Sequence, residues 1–338
     1  MPELVSTIIP TYNRAALLVR ALDSVASQGY RPIEVVIVDD GSTDNTVDVI
    51  ASRRQYLATR GIDVIFHQQQ NQKAPKARNV GMKLARGSLF AFLDSDDLWL
   101  PNFLETVARL LDEHPDCGMG FSGILGIDYE DRVFAERKMY LEPEPIEGVL
   151  REPFNHIIRY MPTQTSGVVV RRRVIEDVGD FDLSLPVVED WDLWYRIGKR
   201  YDMCYTTRAL ACNRNHPDNL PKSDTLALSG NIKMNLRHLP DVTDPFSREV
   251  LIARIKKQIT LLQEQIMREG KHANGYAPLL ENDLSPETWR FKLGTLIREQ
   301  PMWVGQAYAW VIRALGEYQR NEWVRRNAAA AAAGVAVR

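Results

Sequence analysis

Between residues 4 and 122, short apolar runs alternate with amphipathic stretches, the signature of repeated βα units in a mainly parallel sheet. Few other architectures accept that rhythm. It predicts strands at Leu4 to Pro10, Ile33 to Val38, Val64 to Phe66, Leu89 to Leu93 and Gly118 to Ser122. Leu17, Leu18, Ala21, Leu22 and Val25 mark one helix face, and further helices are expected over Val47 to Tyr56, Pro75 to Ala85 and Phe103 to Leu111. Asp44 is a candidate N-cap, Pro75 suits a first turn, and Gly87 stands where a left-handed glycine would close the third helix.

From Ile124 to Met161 the pattern breaks into short pieces with Pro143, Pro145 and Pro153, which reads as connecting structure near a site. A strand is expected at Ser166 to Val170, helices at Arg172 to Val178 and Asp190 to Lys199, and short strands within Met203 to Asn213. Beyond Pro221, Leu251, Ile255, Ile259, Leu262 and Ile266 recur at helical spacing. The 338 residues allow about two domains, so we expect a catalytic domain over 1–220, a helical region over 221–327 and a disordered tail over 328–338. Trp289, Trp303, Trp310 and Trp323 mix with arginines up to Arg326. Packing onto the catalytic domain or a second copy of the chain is expected for them, with an interfacial membrane helix as the alternative.

The 42 basic and 44 acidic residues leave a net charge of −2, which gives no overall attraction to nucleic acid. Three cysteines are too few and too odd for a disulfide framework, and neither a signal peptide nor a run of about 18 apolar residues is visible. The expected place is the cytoplasm, including the inner face of the cell membrane.

In open α/β sheets ligands bind outside the carboxyl ends of the strands. The first strand runs into Pro10, Thr11, Tyr12 and Asn13, the second into Asp39 and Asp40, and the fourth into Asp94, Asp96 and Asp97. Five carboxylates at one sheet edge repel unless a cation or hydrogen-bond donors compensate. Oxygen ligands of this kind suit Mg²⁺ or Mn²⁺. The plain alternative is that Asp44, Asp94 and Asp97 cap helices or form turns.

The segments STIIPTYNR, VIVDDGSTDNT, KARNVGMKLARG, FLDSDDLWLP and VEDWDLWYRI occur in that order. Over residues 4 to 216 the chain therefore resembles the family 2 glycosyltransferases. The resemblance implies the GT-A nucleotide-diphospho-sugar transferase fold with a C-terminal helical extension, and an inverting transfer of sugar. It implies that Pro10, Thr11 and Tyr12 lie against the nucleotide base and that Asp40 accepts the imide hydrogen of uracil. Thymine offers the same donor, so the implied substrate is a UDP-sugar or a dTDP-sugar. Arg78 and Lys73 would face the base or phosphates, with a solvated helix face as the plain reading. Asp94 and Asp96 would contact the nucleotide sugar, and Asp96 or Asp97 would bind Mn²⁺ or Mg²⁺. His216 would complete the metal site or contact phosphate, with a structural histidine as the plain reading, and Thr165 and Ser166 would face the acceptor, with a strand-start turn as the plain reading. Asp190 would be the base that deprotonates the acceptor hydroxyl, against a plain role in favouring a helix N-terminus.

The expected acceptor is a glycan or lipid-linked saccharide of bacterial surface polysaccharide synthesis. A sugar nucleotidyltransferase is the second reading, although PTYNRAALL replaces the glycine-rich basic loop such an enzyme needs. A non-catalytic nucleotide-sugar-binding scaffold is the third. GMGFSG from Gly118 to Gly123 matches GxGxxG but does not open a helix, and Cys204, Cys212 and His216 lack a fourth zinc ligand.

Overall fold

A computed structural model of the chain describes residues 2–137, 146–185, 187–216 and 225–269. In chain order the elements are β1 (Val5–Thr11), α1 (Ala15–Ala26), β2 (Ile33–Asp39), α2 (Thr46–Thr59), β3 (Ile62–Gln68), α3 (Lys73–Leu84), β4 (Leu89–Phe92), β5 (Leu98–Trp99), α4 (Phe103–Glu113), β6 (Cys117–Ile127), β7 (Val133–Arg137), β8 (Glu147–Leu150), α5 (Phe154–Arg159), β9 (Val168–Arg171), α6 (Arg172–Val178), α7 (Glu189–Gly198), β10 (Asp202–Arg214), α8 (Thr225–His238) and α9 (Pro245–Glu269).

The strands form one mixed sheet in the order β3-β2-β1-β4-β9-β6-β10-β5, with β7 on β6 and β8 on β10. β3, β2, β1 and β4 are parallel, β9 runs antiparallel between β4 and β6, and β6 and β10 are parallel again. The chain leaves β1 toward β2 on one side and returns to β4 on the other. That reversal opens a crevice beyond the carboxyl ends of β1 and β4. β1 and β2 are buried at every residue, as strands covered on both faces must be, whereas the edge strand β3 alternates with exposed positions. α1 packs Leu18, Ala21, Leu22 and Val25 into the core, and α4 adds Phe103, Leu104, Val107 and Leu111.

Several expectations need correction. Asn45, not Asp44, precedes the first residue of α2, while the Asp44 carboxylate accepts from the Thr46 and Ala15 backbone N–H at 3.0 and 3.3 Å. Pro75 does stand in the first turn of its helix, but α3 begins two residues earlier, at Lys73. Gly87 is not a left-handed cap, since α3 ends at the extended Ala85. A Cβ at Gly87 would stand 2.4 Å from the Leu4 carbonyl oxygen, so close backbone approach explains the glycine. β6 reaches Ile127, and the expected short strands near Met203 form the single 13-residue β10.

The chain divides into two compact units, Met1–Leu220 with Met234–Ala253, and Pro221–Lys233 with Arg254–Arg338. In the second, the described residues are helical and bury Leu228, Ile232, Ile255 and Leu262. Pro143, Pro145, the Trp289 to Arg326 segment and the alanine run lie outside the described residues. Among the described residues no helix is long and apolar enough to cross a membrane.

Candidate active site

The turns after β1 and β2 are laced together. The Asn13 backbone N–H donates to Ser42 Oγ at 2.8 Å, and Asn13 Oδ1 accepts from the Thr43 N–H at 2.7 Å. Gly41, at φ +84°, supplies the left-handed residue this turn requires. Asp39 is fully buried and accepts from the Ser42 N–H and from Gln68 Nε2 at 3.1 and 2.9 Å. Asp40 accepts from Gln69 Nε2 at 2.7 Å, the Gln72 N–H at 2.9 Å and the Lys73 N–H at 2.7 Å. Two of these fall on Oδ1 and one on Oδ2, so one of its roughly four lone-pair positions is left. Lys73 itself is exposed and held at φ +73°, a costly conformation for a side chain that the bond to Asp40 helps to fix. Pro10 and Thr11 are buried, and the Tyr12 ring is exposed beside them.

Beyond β4, Asp94, Asp96 and Asp97 each place a carboxylate oxygen within 4.8 Å of the others. Asp97 is buried and accepts three hydrogen bonds. Ser166 Oγ donates to its Oδ2 at 2.5 Å, and the Arg214 N–H and Asn213 Nδ2 donate to its Oδ1 at 2.9 and 3.2 Å. Burial, and then the charges of Asp96 and Asp94, push its carboxyl well above the usual range. Asp94 pairs with Arg78 at 2.6 Å, and Asp96 pairs with Arg14 at 2.6 Å and stands 2.9 Å from His216 Nε2.

Arg78 is buried rather than on a solvated face, and it reaches a second acid, Glu189, at 2.5 Å. Burial lowers its proton affinity, but Asp94, Glu189 and Asp190 together raise it further, so the guanidinium stays charged. Glu189 and Asp190 open α7, where the helix dipole favours acids. Burial pushes Glu189 up to about 7, with Arg78 opposing and the Asp190 charge adding to the rise. Asp190 is more accessible than Glu189, and burial raises it as well. Its Oδ2 accepts from Thr165 Oγ1 at 2.8 Å and its Oδ1 from the Trp191 N–H at 2.8 Å. Ser166, the next residue, holds Asp97 and also accepts from the Asp94 N–H at 3.1 Å. One short turn therefore grips the carboxylates beyond β4 and the acid that starts α7.

The donor set fits a divalent cation. Hard carboxylate oxygens within 4.8 Å of one another, with the His216 imidazole nitrogen 2.9 Å from Asp96, suit Mg²⁺ or Mn²⁺. Asp96 and His216, 2.9 Å apart, would be the residues to hold it, with Asp97 beside them keeping one lone-pair position of its own. The sequence reading passed over Arg14, Asn213 and Arg214. The need of clustered acids for counter-cations was the signal that could have found Arg14. All three cysteines are buried and free, and GMGFSG lies within β6, away from any helix start.

Comparison with known proteins identifies the fold and the family. An uncharacterised glycosyltransferase of a Nostoc species is 35% identical over 196 residues, 56% of this chain and 56% of that protein. The chain spans 56% and 31% of the lengths of the first two curated relatives, and between 24% and 64% across eight of them. The fold is that of S. aureus TarS, solved in complex with UDP-GlcNAc, at a TM-score of 0.57 and 21% identity over 88% of this chain and 81% of that one. It is likewise that of the mannosyltransferase PcManGT of Pyrobaculum calidifontis, solved with GDP-Man and Mn²⁺, at a TM-score of 0.57 and 16% identity over 93% and 85% of the two chains. The family model for glycosyl transferase family 2 matches residues 6–179, just over half of the chain, and to that family the chain belongs.

Proposed function

We propose that the protein is a metal-dependent, inverting glycosyltransferase that takes a sugar from a nucleotide-diphosphate donor. A UDP-sugar is the favoured donor, with a dTDP-sugar next. The acceptor is a hydroxyl of a glycan or lipid-linked saccharide in bacterial surface polysaccharide synthesis. Residues 1–220 form the catalytic domain in this reading. The helical region 221–327 supplies contacts to a second copy or to the inner face of the membrane.

The observation that carries the proposal is the Thr165–Ser166 turn, whose neighbouring hydroxyls bond to Asp190 on one side and Asp97 on the other. A transferase must hold a departing diphosphate and an attacking alcohol on opposite sides of one carbon. Asp40 has one lone pair left for a ring N–H, and the exposed Tyr12 offers a face on which a base can stack. The donor complexes of TarS with UDP-GlcNAc and of PcManGT with GDP-Man and Mn²⁺ support a nucleotide-sugar donor and a divalent ion. Bound between Asp96 and His216, that ion would neutralise charge on the nucleoside diphosphate as it leaves.

Asp190 takes the proton of the acceptor hydroxyl at Oδ2 or Oδ1. Thr165 and the Trp191 N–H fix its orientation, and burial raises its basicity. Glu189, tied to Arg78 and more deeply buried, keeps Arg78 against Asp94 and does not meet the acceptor. The test is a screen of nucleotide sugars with Mn²⁺, read as released UDP or dTDP. Metal-dependent release is expected. Pyrophosphate release from UTP and a sugar phosphate would instead establish a nucleotidyltransferase, and binding with no turnover would establish a scaffold.

A further inference from the structure

Arg14 ends the PTYNR segment just before α1, and its guanidinium lies on the acidic loop beyond β4. Nη1 stands 2.6 Å from Asp96 Oδ2 and 2.5 Å from His216 Nε2, and those two atoms are 2.9 Å from each other. In the tautomer that carries its proton on Nδ1, Nε2 turns its lone pair toward the donating Arg14 and does not donate to Asp96. Two lone-pair atoms thus converge on one cationic nitrogen. At 2.9 Å they would repel each other without a cation between them. Neighbouring ligands of an octahedral ion bound at about 2.1 Å also lie roughly 3 Å apart.

We propose that Arg14 is a built-in counter-cation, which takes the place of the divalent ion at Asp96 and His216 while no donor is bound. This rests on the donor-site reading given above. Arg78 neutralises Asp94 and Arg14 neutralises Asp96, so the loop stays compact without metal. The ion alone must displace a guanidinium and gains little by doing so. Together with a pyrophosphate, whose oxygens complete its coordination, it gains enough to take both atoms. Arg14 can give way because 23% of its side chain is exposed, whereas the Arg78 side chain is 6% exposed and has no such route. The released guanidinium remains beside the site, where a diphosphate gives it a new anionic partner.

The test is Mn²⁺ binding by calorimetry and by electron paramagnetic resonance, on the full chain, with and without UDP. The wild-type protein is compared with R14M, R14Q and D96N. R14M should bind Mn²⁺ alone about tenfold more tightly than wild type, as expected if the guanidinium holds the ligands in roughly nine molecules of ten. UDP should then enhance Mn²⁺ binding less in R14M than in wild type. R14Q, which keeps a donor but no charge, should shift the same way and guards against a folding defect in R14M. D96N should abolish Mn²⁺ binding in both conditions. If D96N abolishes binding but R14M and R14Q match wild type or bind more weakly, the role of Arg14 is overturned and the donor site stands. If wild type binds no Mn²⁺ even with UDP present, the donor-site reading itself falls.

Discussion

The turns after β2 and β4 flank β1 and are both acidic, yet their carboxylates are satisfied in different ways. Asp39 and Asp40 accept from neutral groups: Ser42, Gln68, Gln69 and the Gln72 and Lys73 backbone N–H. Asp94 and Asp96 lean on the guanidinium groups of Arg78 and Arg14, and Asp97 is left with a raised proton affinity. Backbone donors belong to the fold and cannot be withdrawn. A side-chain cation can be exchanged for another cation. The number of acids in a turn therefore says less about an ion site than the kind of partner those acids keep.

The contrast can be broken by mutation, and the largest effect is expected where neither turn acts. Asp190→Asn should lower transfer by roughly 10² to 10⁴ while UDP affinity stays near wild type, and unchanged turnover would remove Asp190 from the base role. Asp96→Asn should lower Mn²⁺-dependent turnover by roughly 10² to 10³. Asp40→Ala should instead keep Mn²⁺ binding while weakening UDP binding, as calorimetry on the two variants would show. If Asp40→Ala loses the ion and Asp96→Asn keeps it, the two turns have been assigned the wrong way round.

Smaller effects fall on stability. Asp192, fully buried two residues beyond Asp190 in α7, meets His238 at 2.9 Å, Arg196 at 2.8 Å and Arg237 at 3.1 Å. Although burial pushes its carboxyl up, His238 and Arg196 hold it far below the usual aspartate range. Its stabilising contribution is complete above the unfolded pKa of about 4 and is lost as pH falls through the depressed folded value. Asp192→Asn should cost about 3 kcal/mol near pH 7, and the gap from wild type should narrow in strong acid. A gap that widens in acid would contradict this assignment. Lys73→Gly should give the smallest change, a gain of about 0.5 kcal/mol from relief at φ +73°, measured by thermal unfolding.

β1, β2 and β4 were legible because strands buried on both faces are largely apolar runs, and the acids follow directly from where those runs stop; of the half-exposed edge strand β3 only the central Val64 to Phe66 was read. β6 was placed at Gly118 to Ser122 but runs on to Ile127, because the glycines of GMGFSGILG interrupt its apolar pattern. Its glycines instead permit close packing: a Cβ at Gly120 would stand 2.8 Å from the Val107 side chain, and one at Gly123 would stand 2.8 Å from the Thr207 carbonyl oxygen. The neighbourhood of Asp94 and Glu189 was not legible, because they are 95 positions apart and only the buried Arg78 reveals that they meet. Arg14 was hidden for the same reason. Spacing along a chain says where acids end up in a sheet, but not which distant arginine folds back onto them.

The Thr165–Ser166 turn has a mechanical consequence. Adjacent residues on one backbone segment move together, so a thermal displacement there carries Asp190, the proposed proton acceptor, and Asp97 in the same direction. Their separation varies less than the position of either, and the line of attack is preserved while the crevice around it breathes.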